Sequence, residues 1–379
     1  MSDILLTDAQ RDLQLMFREF AKKEVMPISA QYDEKGEFPR EVFNRAVEMG
    51  LTTLGVPEKF GGSGEGALTG TLLGEELGYA DAGFAVAVGA CNLATIPVMM
   101  GGNEEQVKKV ADLLLHGGMT AFCLTEAEAG SDAAALRTTA VKDGNDYIIN
   151  GSKVFITNGG VADMYTVFAT VDKSLGAKGI TAFLVDRNAP GLSVGKEENK
   201  MGIRLSNTTE VVFEDVRVPA ENMVGGVGKG LKIALGTLSR TRAQGSSAAV
   251  GICRRAIEES MKYAKQRVTF GRPIIKNQAI QFMLADMEIQ TEAARQLVRH
   301  AARMVDKGVI DAKQGSIAKT FAGDTAVKVA TDAIQIFGGY GYSREYPVEK
   351  LLRDAKIYQI FEGTNQIQRM VVFGNMINQ

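Results

Sequence analysis

What most constrains this chain is that its hydrophobic period changes twice along its length. From about residue 120 to 225, short runs rich in β-branched and aromatic residues recur at strand length. On either side, apolar residues fall at helical spacing. In the middle region Val154-Phe155-Ile156, Tyr165-Thr166-Val167-Phe168, Ile180 to Val185 and Glu210 to Phe213 read as strands. Asp143-Gly144 and Asn150-Gly151, flanking Tyr147-Ile148-Ile149, read as hairpin turns. With no helical pattern between them, these strands predict a compact antiparallel β domain. After Gly228 the seam Ile280, Leu284, Met287, Ala294, Val298, Ala301 and Val305 has one polar member, Thr291. That seam predicts four long helices packed as a bundle. A chain of 379 residues also exceeds one ordinary core. The expected fold is mostly α with a central β domain, divided as 1–118, 119–227 and 228–379.

The first third reads as helical. Thr7 and Gln10 form a capping-box pattern opening a helix that carries Leu13, Met16, Phe17 and Phe20 on one face. Pro39 suits the first turn of a second helix, ended by Gly50, and Asn103 with Gln106 caps a further one. Gly62-x-Gly64-x-x-Ala67 fits a degenerate dinucleotide fingerprint, but no good strand precedes it, and a plain loop is expected. Gly83 to Gly102 carries no charge and is about long enough to span a bilayer. Its Pro97, its Asn92 and its acidic flanks favour a buried helix lining a pocket.

Net charge of −2 leaves no electrostatic footprint for nucleic acid or an acidic membrane. Three dispersed cysteines (Cys91, Cys123, Cys253) argue against a disulfide framework and suit a reducing compartment. Only His116 and His300 are present, so neither a transition-metal site nor a Ser-His-Asp triad is supported. The N-terminus shows no basic region followed by an apolar run, and a cytoplasmic protein is expected, a processed organellar form remaining open.

The chemistry concentrates near the C-terminus, in Tyr358-Gln359-Ile360-Phe361-Glu362-Gly363-Thr364-Asn365-Gln366-Ile367-Gln368-Arg369. Glu362 stands against Ile360 and Phe361, where partial desolvation raises a carboxylate toward the range of a general base. Gly363, without a Cβ, lets a ligand approach closely. Taken alone, the same residues also describe a surface glutamate before a glycine cap.

This segment resembles the catalytic segment of the acyl-CoA dehydrogenases, flavoenzymes that introduce a trans double bond beside a thioester. Two further stretches are similar to that family's signatures: Cys123 to Asp132, and Gln335 to Tyr342 followed by Glu345, Lys350 and Asp354. The three motifs keep the family's order, and the resemblance covers essentially the whole chain. It implies the helical, β, helical-bundle order of domains, bound FAD, an acyl-CoA substrate and a homotetramer.

By resemblance, Glu362 is the base that takes the alpha proton while hydride leaves the beta carbon for the flavin N5. Its backbone N–H and a ribityl hydroxyl would bind the developing enolate oxygen. For FAD the resemblance implies Phe122, Leu124, Thr125, Gly130 and Ser131 on the first signature, with Ser131 also facing substrate. Phe155, Ile156 and Thr157 would lie along the flavin, Phe155 standing where many relatives have tryptophan. Arg267, Thr269, Phe270 and Gln278 would reach the flavin of a neighbouring subunit, with Gln335, Gly338 and Gly339 embracing its adenine and pyrophosphate. Thr364 and Gln366 complete the cofactor set. Ser239 and Arg242 are the aligned coenzyme A positions, Ser239 replacing the usual aspartate, and Gly363 adjoins substrate. Ala127 and Glu128 replace a proline and a glycine, and a carboxylate near phosphates would have to point outward. Gly89, Ala90, Cys91, Leu93 and Ala94 are expected along the acyl pocket.

The reading is FAD-dependent α,β-dehydrogenation of an acyl-CoA, with electrons passed to an electron-transferring flavoprotein. The oxidases of the family are expected to be longer than this chain. The alternatives are an enoyl-CoA reductase running the reverse reaction and a catalytically silent scaffold of the same fold. Acyl chain length and shape stay open.

Overall fold

A computed structural model describes residues 4–377. Six helices come first: α1 (Asp8–Phe20), α2 (Met26–Lys35), α3 (Arg40–Glu48), α4 (Ala67–Ala80), α5 (Ala82–Gly101) and α6 (Glu104–Leu115). The capping boxes at Thr7/Gln10 and Asn103/Gln106 both form, and Phe17 and Phe20 are buried beneath α1. The glycine-rich stretch before α4 is a loop, with no strand leading into it. Helix α5 is the only described helix long and apolar enough to cross a membrane, and 61 % of its most apolar window is buried inside the molecule.

The middle region is an eight-stranded sheet of β1 (Thr120–Cys123), β2 (Thr139–Asp143), β3 (Asp146–Thr157), β4 (Met164–Thr170), β5 (Ile180–Asp186), β6 (Leu192–Glu197), β7 (Thr208–Pro219) and β8 (Met223–Val224). Its order is β6-β7-β3-β2-β4-β5-β8, with β1 paired to β4. Most pairs are antiparallel; β1 and β2 meet β4 in parallel. The Asp143-Gly144 signal is a true hairpin, closing β2 onto β3 with Asp143 opposite Asp146. The Asn150-Gly151 signal is not. It lies inside β3 at a bulge, where the register to β7 shifts between Ile149 and Gly151. Gly151 has φ 145°, and a Cβ there would sit 2.6 Å from Thr138 Oγ1. The pair that usually turns a chain here re-aims a strand. Asn150 holds the bulge by accepting from the Asp215 N–H at 2.8 Å.

Helices α7 (Gly230–Gln266), α8 (Gln278–Asp306), α9 (Ala312–Phe337), α10 (Val348–Lys356) and α11 (Asn365–Ile377) complete the chain, with the small hairpin β9 (Val268–Thr269) and β10 (Arg272–Pro273) after α7. The bundle is three long helices, α7 to α9, with the 13-residue α11 as its fourth member. Along α8 the buried seam runs Leu284, Met287, Thr291, Ala294, Val298 and Ala301. Thr291 satisfies its hydroxyl by donating to the Met287 carbonyl at 2.7 Å. Helix α4 packs along α7, which lets the N-terminal helices share the bundle's core.

Buried charge ties the regions together. Lys350 on α10 lies 2.8 Å from Asp81, at the start of α5, and 2.5 Å from Asp354. Ser29 on α2 donates to Asp81 at 2.5 Å, and Asp354 accepts the Ile203 N–H, from the β region, at 2.6 Å. Replacing Lys350 with Met leaves two buried carboxylates facing each other without a cation. Breaking such a pair costs about 3–5 kcal/mol. Urea unfolding of Lys350→Met should show that loss, and unchanged stability would deny the cluster its role.

Candidate active site

Where α4, α5, α7 and the sheet meet the turn before α11, they enclose a cavity of about 420 Å³. Glu362 opens into it from that turn, and its own backbone has φ 54°, a left-handed conformation that non-glycine residues rarely adopt. Gly363 follows at φ 88°. The carbonyls of both residues accept from Gln368 Nε2, at 3.0 and 3.1 Å, and Lys319 Nζ donates to Gly363 O at 2.9 Å. The Glu362 N–H has no hydrogen-bond partner among the described residues.

Desolvation by the packed walls raises the Glu362 carboxyl to about 7, against the lowering pull of the Lys319 and Arg242 cations. A carboxylate poised near neutrality suits proton abstraction. Its oxygens rest on α7 at Gly245, where a Cβ would come within 2.6 Å of one and 2.7 Å of the other. Gly245 carried no signal in the sequence, because its relation to Glu362 is made only by helix packing; Gln368 belongs to the C-terminal segment itself, six residues from Glu362.

Facing Glu362 across the cavity are Phe122, Leu124, Thr125, Gly130, Ser131, Phe155, Ile156 and Thr157. Phe155 stands 65 % exposed at a second bulge of β3, at φ 56°, so its ring is offered rather than packed. The loop from Thr125 is braced from below. Lys153, wholly buried, lies 2.6 Å from Glu126 and donates to Leu124 O at 3.2 Å. Glu126 in turn accepts the Arg137 and Thr138 N–H groups, at 2.6 and 3.0 Å. Desolvation alone would raise the Glu126 carboxyl, but Lys153 and these donors hold it below its ordinary value. This brace was not anticipated, since a lysine in a strand ordinarily reads as exposed. Glu128 points outward and pairs with Arg137 at 2.5 Å. A flat, partly apolar cofactor with an anionic tail fits this wall: an exposed ring, three hydroxyl residues, and open space at Gly130.

Arg242 is buried on α7 and lines the same cavity, 3.4 Å from Ser316 Oγ, with its Nε lacking a hydrogen-bond partner among the described residues. Ser239, three residues earlier, does not line the cavity, and its hydroxyl donates to Leu235 O at 2.9 Å. The absent aspartate thus has no substitute in Ser239. Of the acyl-pocket expectations, Gly89, Ala90 and Leu93 line the cavity, while Cys91 and Ala94 do not. Both belong to the α5 face against the sheet: Cys91 O accepts from Thr120 and Ala94 O from Thr166, at 2.9 and 2.8 Å. Burial pushes the Cys91 thiol up to about 11, an inert group.

The other expected cofactor residues lie elsewhere on this chain. Arg267, Phe270, Gln278, Gln335, Gly338 and Gly339 are exposed, and Thr269 is half-buried; none lines the cavity. They gather at the hairpin end of the bundle, where the Arg267 guanidinium sits 5.7 Å from the Tyr340 ring centre. Phe270 is fully exposed at the hairpin tip, at φ 51°. Thr364 and Gln366 also stay off the cavity wall, Thr364 Oγ1 accepting from the Ile367 N–H at the start of α11.

Family models for the acyl-CoA dehydrogenase N-terminal, middle and C-terminal domains match residues 7–118, 121–216 and 228–377 in turn. Butyryl-CoA dehydrogenase from Megasphaera elsdenii superposes with a TM-score of 0.97 at 46 % identity, covering 99 % of this chain and 100 % of that one. A chain in a structure of the electron transferring flavoprotein of Acidaminococcus fermentans, concerned with flavin-based electron bifurcation, has a TM-score of 0.97 at 44 % identity, with full coverage of both chains. The prolyl acyl carrier protein oxidase AnaB has a TM-score of 0.94 at 33 % identity, over 98 % of this chain and 99 % of its own. That last likeness corrects the expectation that oxidases on this fold must be longer.

Gly245→Ala gives a local test of the geometry. Alanine is the better helix former, by about 1 kcal/mol, so stability should hold or rise. The added methyl must nevertheless displace the Glu362 carboxylate, and a misplacement of about 1 Å costs on the order of 10²-fold in rate. Single-turnover reduction of bound flavin by substrate should fall accordingly, and an undiminished rate would remove Gly245 from the site.

Proposed function

The chain belongs to the acyl-CoA dehydrogenase family, a family of flavin-dependent oxidoreductases, and we propose that it dehydrogenates a short acyl-CoA at the α,β position with Glu362 as the base. The observation that carries the proposal is the pairing of a carboxyl raised to about 7 with an N–H on the same residue that has no partner among the described residues. The carboxylate takes the alpha proton, and the N–H donates to the thioester oxygen as enolate charge develops. Lining residues Thr125, Ser131, Phe155 and Thr157 would hold FAD, which when bound supplies the acceptor for the hydride leaving the beta carbon. Arg242 offers the substrate its Nε, which has no hydrogen-bond partner among the described residues. A short acyl group is favoured by the likeness to a butyryl-CoA dehydrogenase.

The exposed cluster around Phe270 and Gly338 supports a site shared between subunits. A fully exposed phenylalanine at a hairpin tip is a poor surface residue and a good anchor for a second chain. We place that cluster against a neighbouring subunit's FAD within a homotetramer. A carrier of the electron-transferring flavoprotein kind is supported by the Acidaminococcus likeness, and would take electrons singly through a small, partly polar contact. Chain length does not argue against an oxidase, so the acceptor has to be tested directly.

One assay addresses base and acceptor together. Protein purified with FAD should be yellow and bleach on adding a short acyl-CoA. Glu362→Gln should keep its flavin and bind acyl-CoA, yet bleach at least about 10²-fold more slowly, about 3 kcal/mol of barrier. Normal bleaching in that variant would strip Glu362 of its role. Once bleached, the wild-type flavin should recover its colour quickly with the carrier and slowly in air; air recovery at turnover rates would make the protein an oxidase.

The shared site makes its own demand. Dilution should release FAD and subunits together, read by flavin fluorescence alongside sedimentation. A monomer retaining full FAD would contradict it.

A further inference from the structure

The mechanism so far uses Lys319 only as a neighbour, although it is the nearest buried ammonium to the catalytic turn. Lys319 lies on α9, 2 % exposed, with no carboxylate in hydrogen-bond contact. Its Nζ donates to Gly363 O at 2.9 Å and to Asn365 Oδ1 at 2.8 Å. Burying a lysine without direct ion pairing is expensive, and a structural peg for a turn could be made from a neutral amide. Gln368 already is one: it donates to the same Gly363 carbonyl at 3.1 Å. What Lys319 adds to that turn is charge.

Resting on the dehydrogenase reading above, we propose that Lys319 is a positioning residue for the base: it pins the left-handed turn through Gly363 O, and its charge favours the carboxylate form of Glu362. The turn needs pinning because Glu362 itself sits at positive φ. The charge matters because the walls of the cavity oppose ionisation. The groups facing Glu362 are few: Arg242 from α7, Lys319 from α9, and the Tyr358 hydroxyl from the turn before it, whose own ionisation burial strongly opposes. Asp324, also on α9, faces Lys319 but is answered by Arg369 of α11 at 2.7 Å. Burial pulls the Lys319 ammonium down to about 8, while Glu362 and Asp324 favour its charge. Lys319 is therefore mostly cationic at neutral pH, when the base must ionise.

Removing the cation raises the proton affinity of Glu362, so the rate of proton abstraction should need a higher pH to reach the same plateau. One nearby opposite charge is worth about one pH unit or more. The test is flavin bleaching by a short acyl-CoA, in single turnovers from pH 5.5 to 10, on FAD-loaded wild type, Lys319→Met, Lys319→Gln and Lys319→Arg. Glutamine keeps a donor for Gly363 O and drops the charge; arginine keeps the charge.

Lys319→Met and Lys319→Gln should both move the midpoint up by about one unit. At neutral pH they should be roughly fivefold slow or worse, recovering at high pH, while Lys319→Arg tracks wild type. Far-ultraviolet circular dichroism and FAD content report separately on folding, and Lys319→Gln stands in if the methionine variant folds poorly. A rate lowered by one factor at every pH, or a midpoint unmoved in the Gln variant, overturns the proposal. Wild-type protein that holds FAD but is bleached by no acyl-CoA refutes the dehydrogenase reading itself, a different result.

Discussion

The ammonium of Lys350 is the constraint on which the arrangement of this protein depends. It joins Asp81, which caps the start of α5, to Asp354 on its own helix, and Asp354 in turn holds the Ile203 N–H that the β region presents. Burial raises the Asp354 carboxyl, against the lowering pull of Lys350. Three parts of the chain therefore meet around one buried ammonium. Helix α10 leads from it directly into the turn that carries Glu362. The position of the base is inherited from that buried cluster.

A second network serves α4. Glu75 and Glu76 face Arg254 of α7 and Arg295 of α8, and Arg18 of α1 closes on Glu76. Desolvation would raise Glu76, but Arg254 and Arg18 hold it at about 2. Both networks bury charge in helix–helix contacts where apolar packing alone would allow sliding, and the cavity lies between the helices so fixed. Specific geometry of this kind is bought with desolvation. Its return is a cavity whose walls keep their spacing around a strained turn.

Within the site, two carboxylates of equal chemistry are sent in opposite directions by their surroundings. Glu126, bonded to two backbone N–H groups and Lys153, is held below its ordinary value. Glu362, walled in and without a hydrogen-bonded cation among the described residues, is lifted to about 7. The first is a fixed anion bracing a loop, and the second can exchange a proton near neutrality.

Sequence alone determined the order of helical, β and helical regions, since hydrophobic period is a local property that the chain carries with it. The resemblance of its motifs to a known family also marked Glu362, the Thr125–Ser131 loop and Phe155 to Thr157, and the fold brings these onto one cavity. Sequence alone misread Asn150-Gly151, whose turn chemistry a neighbouring strand converts into a bulge, and it gave Cys91 and Ala94 to the wrong face of α5. Helical period says that a helix has faces but not which neighbour each one meets. Gly245, Lys153 and Lys319 were silent for the same reason. Each matters through a partner 27 to 117 residues along the chain, and only the tertiary structure brings those partners within reach.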